Sequence, residues 1–362
     1  MKITDSQMQA GANNLTLVRL ALASAVIWSH SYWRISGISG QDTTSWLLHA
    51  PVSQFAVDGF FFLSGFLVYA SLQRRGRVGD FVLARLTRLW PGLAVCVALT
   101  IAAGAWLTVL PLQAYLRGDT LGFMRGNLLL IGQEYSLSGV MCGAAPCTVN
   151  GSLWTIAWEV RCYTLLAIAA LLGLARPWVM QQIVLPASLV FALILHFPGV
   201  EVAVRAHLGH GIAHNLLMAD RLWSAFALGI AAWLWRGRLV LNWWMAAALT
   251  VGGTIMAHFG LGAHGQQVAT GYLVLCAGFL SAKHDALSAA WPDYSYGMYI
   301  YAFPVMMILA GSAVFGNFAL LALATFVATL PLAALSWHFV EKPALDLFRN
   351  LNRRRDLENV GV

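Results

Sequence analysis

Ten apolar runs, each closed off by charge, glycine or proline, punctuate the chain at about residues 14–33, 51–72, 90–110, 152–174, 178–197, 216–235, 239–258, 266–282, 294–312 and 316–339. Crossing the ~30 Å hydrocarbon core of a bilayer takes roughly 20 apolar residues in a helix, so runs of this length and number constrain the fold more than any other feature. Only 10% of the residues are charged and the mean hydropathy is +0.69, whereas a water-soluble domain carries about 25% charged residues. A soluble globular protein, a disordered chain and a disulfide scaffold are all excluded. The expectation is an all-α polytopic membrane protein of about ten transmembrane helices, forming a single membrane-embedded domain over residues 1–362. The first run contains Arg19 and His30 and lacks the short clean apolar stretch of a cleavable signal, so it reads as the first membrane helix.

The connection over about 111–151 is the only long one. It carries a further apolar patch, Leu128 to Ile131, too short for a full span. With the N-terminus in the cytoplasm, 15 of the 22 basic residues fall on the inner side, including Arg74, Arg75, Arg77, Arg85, Arg88 and the basic tail over 342–362. Arg34, Arg117, Arg125, Arg205 and Arg221 fall outside. This bias puts both ends in the cytoplasm of a multi-pass plasma membrane protein and explains the basic excess without nucleic acid. Cys142 and Cys147 lie in the long outer loop, on the oxidising side, and are expected to be bonded; Cys96, Cys162 and Cys276 read as buried small side chains. No P-loop or dinucleotide fingerprint appears, which removes nucleotide-hydrolysing pumps.

Ionisable side chains within spans are costly and face a cavity or a partner, so they mark function. Arg19 and His30 are eleven residues apart on one helix, which is only ~20° beyond three full turns and ~16 Å along the axis. One helix face therefore carries a guanidinium in the inner half and an imidazole in the outer third. Asp58, in Val57-Asp58-Gly59, and Glu159, in Ser152-Leu153-Trp154 to Glu159, fall at a similar outer depth on two other helices. A carboxylate beside a histidine fixes its tautomer and raises its basicity, which suits general-base work on a hydroxyl. The competing structural reading is a buried charge network in which Arg161 neutralises Glu159 or Asp58. Gly59, Ser64 and Gly65 read first as small residues that let helices approach.

Arg74, Arg75 and Arg77, followed by Arg85 and Arg88, put five arginines at one inner rim, with Pro91 just beyond. A planar guanidinium donates two bonds to one phosphate, so this rim suits a phosphate clamp; ordinary positive-inside topology and contact with anionic lipid is the plainer reading. The spacing of His207, His210 and His214 is compatible with a metal, but Gly209 and Gly211 weaken the helix that would align them, so no metal is expected. The 15 Trp and 10 Tyr read mostly as interfacial anchors, with Trp154 and Trp158, four apart beside Glu159, offering the alternative of a surface for a sugar ring.

Taken together these residues resemble the acyltransferase family 3 membrane proteins, over nearly the whole chain. The family's Arg, ten residues, His pattern falls on Arg19 and His30. Its Phe-Phe-x-x-Ser-Gly falls on Phe61 to Gly65, its Arg-x-x-Arg on Arg85 and Arg88, and its Ser-Leu-Trp segment ending in Glu on Ser152 to Glu159. Ser295 to Pro304 and Phe339 to Pro343 are similar to the family's late segments, although many members carry His where this chain has Ala302. The resemblance implies transfer of an acyl group, acetyl first, from cytosolic acyl-coenzyme A to a hydroxyl of an extracytoplasmic glycan or glycolipid at a bacterial inner membrane. It implies His30, Glu159, Asp58 and Arg19 as catalytic residues. Arg85, Arg88, Arg74, Arg75, Arg19 and Ser64 would hold acetyl-coenzyme A, with no metal. His30 serves either as general base for direct attack or as a transient acyl carrier, the first being preferred. A rival class, a transporter or flippase for a small solute or lipid-linked sugar, calls for inverted repeats with paired helix breaks, and none is evident.

Overall fold

A computed structural model describes all residues except 10, 142–146, 198, 260–262, 283–290 and 361–362. The major helices are α1 (Leu15–Ser36), α2 (Val52–Arg75), α3 (Val78–Leu107), α4 (Leu112–Arg117), α5 (Thr120–Leu129), α6 (Trp154–Leu171) and α7 (Leu185–Leu195). They continue as α8 (Val200–Leu234), α9 (Trp243–His258), α10 (Ala263–Leu275), α11 (Ser295–Leu309), α12 (Phe318–Ser336) and α13 (Lys342–Val360). Every apolar run of the sequence is helical. Among the described residues, six segments are long and apolar enough to cross a membrane: Val52–Arg75, Val78–Leu107, Gly151–Leu171, Pro177–Leu195, Val202–Leu234 and Phe318–Arg353. The architecture is that of an all-α membrane protein. Its outward face is apolar: on α7, Leu189, Val190 and Leu193 are exposed, as lipid-facing side chains should be.

Some boundaries differ from the sequence reading. α3 begins at Val78, well before residue 90, so Arg85 and Arg88 lie inside it and Pro91 is carried within a continuous helix. α8 begins at Val200, well before residue 216, and takes in His207, His210 and His214, with a break at Gly209, whose φ of 77° is left-handed. The long connection folds into α4, α5 and a two-residue antiparallel ladder pairing Ser136–Leu137 with Cys147–Thr148. The expected Cys142–Cys147 bond lies outside the described residues, because Cys142 and the Cys147 side chain are not among them. Cys96, Cys162 and Cys276 are buried free thiols, as expected.

The chain divides into two compact units. The first comprises Met1–Leu22, Thr43–Val78 and Trp158–Trp291, the second Ala23–Asp42, Gly79–Ala157 and Pro292–Val362. In the first unit α2 is buried along most of its length. It meets α8 backbone to backbone: a Cβ on Gly65 would lie 1.9 Å from the Phe226 carbonyl oxygen, and one on Gly229 would lie 2.0 Å from that of Phe62. This is the small-residue packing that substitutes for a hydrophobic driving force between helices in lipid. Phe62, Phe66, Tyr272 and Phe279 fill the core around it.

In the second unit α11 packs along α12 so closely that a Cβ on Gly297 would meet the Ala333 Cα at 2.8 Å. Pro304 sits inside α11 and has no N–H, so the carbonyl four residues back, on Ile300, loses its helical partner. Asn150 repairs this: its side-chain amide donates to the Ile300 oxygen at 3.0 Å, while its own oxygen accepts from the Ser152 N–H at 3.3 Å. The segment Asn150-Gly151-Ser152 is thereby fastened to α11, with Gly151 against the Phe303 ring.

Candidate active site

That fastening walls a small cavity of about 10 Å³ in the second unit, room for roughly one water. Ala23, Val26, Ile27 and His30 line it from α1, Tyr299, Ala302 and Phe303 from α11, Thr325 from α12, and Ser152 from the fastened segment. The α1 residues recur at three- and four-residue intervals, one stripe of one helix. Arg19, four residues before Ala23, continues the same stripe by a turn, so the imidazole and the guanidinium share a helix face. The His30 ring packs edge-on against Phe303, with centroids 5.1 Å apart. Ala302, where resembling sequences often carry histidine, opens onto the same cavity, so among the described residues His30 is the one imidazole in the lining.

The cavity is rich in hydroxyls. Tyr299 Oη pairs with Thr155 Oγ1 at 2.6 Å. Thr325, fully buried, has a hydroxyl with no hydrogen-bond partner. A buried unpaired hydroxyl costs ~1–3 kcal/mol and calls for an explanation. Thr325 lines the cavity that His30 also lines; Thr329, one turn further along α12, is equally buried and unpartnered outside it. Sequence reasoning missed Thr325 because a threonine in an apolar run is ordinary; its signal is visible only once its partner is seen to be missing.

The remaining expected site residues fall as follows. In the first unit Ser64 Oγ donates to Glu159 Oε1 at 3.0 Å and lies 3.0 Å from Tyr163 Oη, which also donates to Glu159. Ser64 and Glu159 thus form one hydrogen-bonded group with a tyrosine that the sequence did not single out. Asp58 is buried against Arg221, 3.0 Å away, and Gln267. Arg221, assigned to an outer loop, lies within α8 and is the cation that neutralises Asp58; Arg161 instead covers the Trp158 ring at 4.2 Å. Arg19 reaches Thr16 through one guanidinium nitrogen. Arg74 is exposed, and Arg75 donates to Ser71 Oγ at 3.2 Å.

Arg88 departs from its expected role. Its two terminal nitrogens go to Asp293 at 2.8 Å and Glu341 at 3.1 Å, and its guanidinium lies over the rings of Tyr296 and Trp337. Glu341 is 1% exposed and accepts a further bond from Ser336. A fork already bound to two carboxylates has no face left for phosphate, and the carboxylates repel one. Arg88 is therefore corrected from a phosphate ligand to a structural cation. Arg85, one helical turn earlier, has a buried Nε without a hydrogen-bond partner. His207, His210 and His214 are exposed and separated by the Gly209 break, so they form no ligand array. Three other groups do converge, His196, Asp220 and His264, hidden in the sequence by long separations.

Residues 13–338 match the family model described as an acyltransferase domain, acyltransferase 3, which runs through both units. The chain is 29% identical to nodulation protein 10 of Rhizobium leguminosarum bv. viciae over 95% of this chain and 96% of that protein. It is 25% identical to the O-acetyl transferase of Shigella phage Sf6 over 91% of this chain and 95% of that one. No solved structure matches. The match over residues 13–338, with the family's motifs seated on α1, α2, α3 and α6, means that this chain belongs to the acyltransferase 3 family.

Proposed function

We propose that this protein moves an acyl group, acetyl first, from cytosolic acyl-coenzyme A to a hydroxyl of a glycan or glycolipid on the far side of the plasma membrane. It does so as a ten-span protein of the bacterial inner membrane, with both ends in the cytoplasm. The observation that carries this reading is the His30 cavity: one imidazole, ringed by hydroxyl and apolar groups, on the same helix face as Arg19. The relative named O-acetyl transferase supports an oxygen acceptor.

In this reading the neutral His30 ring takes the proton of the acceptor hydroxyl as its oxygen attacks the thioester carbonyl. The carbon–sulfur bond then breaks and the same proton returns to the coenzyme A thiolate, giving an ester and a free thiol. Thr325 supplies a hydroxyl donor to the carbonyl oxygen as it gains charge. Arg19 steadies the donor. Glu159 and Asp58 are the acidic groups of the machinery; Asp58 works as a pair with Arg221, and Ser64 acts through Glu159 rather than on the donor. Donor phosphates are assigned to Arg85, Arg74 and Arg75.

The reading is tested by mass analysis of surface glycans from cells with and without the gene. The expected result is loss of an acyl mass, 42 Da for acetyl, from a glycan on deletion and its return on complementation. Identical glycan masses in the two strains, with acetylated free sugar in neither, would remove the glycan acceptor.

A further inference from the structure

In the first unit, the end of α7, the middle of α8 and the start of α10 bring three ligand-type groups together. His196 Nε2 lies 3.0 Å from Asp220 Oδ2, and His264 Nε2 lies 3.6 Å from the same oxygen. All three ligand atoms fall within 4.8 Å of one another. Tetrahedral zinc with bonds of about 2.0–2.1 Å to nitrogen and oxygen has ligand–ligand edges of roughly 3.3 Å, which the two measured edges bracket.

The hydrogen bonding decides what this cluster needs. Gln267 donates its amide N–H groups to the Arg221 carbonyl at 2.8 Å and to Asp58 at 3.4 Å, so its oxygen is the atom turned to His264 Nδ1, 3.1 Å away. Flipping that amide would set its oxygen against two other oxygens. His264 Nδ1 must therefore be the donor, and in the neutral ring Nε2 is left with a lone pair. That lone pair faces the Asp220 carboxylate, and Nε2 is buried without a hydrogen-bond partner. With a neutral ring, two acceptors thus confront each other at a distance too long for a hydrogen bond; a metal ion between them satisfies both, as does a second ring proton on Nε2, and the titration below separates the two.

The charges point the same way. Asp220 is 1% exposed, and Arg221 spends its charge on Asp58, so Asp220 has no fixed cation. The rings of His196 and His264 are about one-third exposed, which leaves an entry path and an open fourth position for water.

We propose that His196, His264 and Asp220 bind one divalent transition-metal ion of the zinc class, tying α7, α8 and α10 together. The inference is independent of the acyl-transfer reading and runs against the sequence expectation of no metal.

The test uses full-length protein purified with a histidine-free tag, stripped with chelator and titrated with Co²⁺ while visible ligand-field absorption is followed. One equivalent per chain is expected, with the band of a four- or five-coordinate site, displaced by Zn²⁺. His264→Ala and Asp220→Asn should abolish it. Gln267→Leu, which removes only the tautomer lock, should weaken binding by about 10–100-fold. His258→Ala should leave it unchanged; that ring pairs with His49 at 3.3 Å and is not one of the three converging groups. If His264→Ala does not fold, His196→Gln on its partly exposed ring replaces it. Absence of a stoichiometric band in the wild type, or a band that survives His264→Ala or His196→Gln and disappears in His258→Ala, would overturn the proposal.

Discussion

Arg88 lies between Asp293 and Glu341, and its loss would strand two carboxylates, one of them almost wholly buried. Breaking a buried ion pair by removing one partner costs ~3–5 kcal/mol. Arg88→Ala is therefore expected to lower the midpoint of thermal unfolding in detergent. Arg85→Ala should leave the midpoint near wild type and raise the KM for the acyl donor. An unchanged midpoint for Arg88→Ala, with a weakened donor KM, would return Arg88 to the phosphate clamp. The sequence shows both arginines as equals three residues apart. What separates them is contributed by Asp293 and Glu341, about 200 and 250 residues away, and no local spacing encodes that. His30 was legible because an imidazole inside an apolar run is conspicuous by itself. Thr325 and the His196, Asp220 and His264 group were not, because their meaning lies in partners gained or missing across the fold.

Among the elements, α11 carries the clearest dependence of structure on a single residue. Pro304 frees the Ile300 carbonyl, and Asn150 pairs it. Asn150→Ala is expected to cost ~1 kcal/mol by leaving that oxygen with only the weaker Cys96 thiol donor, 3.3 Å away. In a Pro304→Ala background the new N–H restores the helical bond, and the cost of Asn150→Ala should shrink by at least ~0.5 kcal/mol. Strictly additive losses in chemical denaturation of the four proteins would contradict the account. Helix positions were legible because apolar runs bounded by charge are a strong signal. Helix starts were less so: α3 and α8 begin 12 and 16 residues before their apolar runs, since arginine- and histidine-bearing turns are still helix-compatible and hydropathy registers only the greasy part. The π turns among the described residues, at Met180–Val184, Cys276–Leu280 and Trp337–Glu341, left no trace in the pattern. The last of these ends on the carboxylate that holds Arg88.

At the scale of the whole molecule, the account assigns one chain two jobs: accepting a thioester made in the cytosol and presenting its acyl group to an alcohol outside. The motif order along the chain carried the family from sequence alone, and the match over residues 13–338 agrees with it. Composition carried the membrane. The identity of the acceptor is written in neither, because a hydroxyl on one sugar differs from that on another by contacts that a charge and hydropathy pattern does not register. In the proposed reaction the chemistry converges on His30. The direct measurement is transfer of labelled acetyl from acetyl-coenzyme A to acceptor by purified wild type and His30→Ala in proteoliposomes, with donor binding measured on the same preparations. The account predicts that His30→Ala binds donor within a few-fold of wild type and transfers no label; a His30→Ala protein that turns over at the wild-type rate would contradict it.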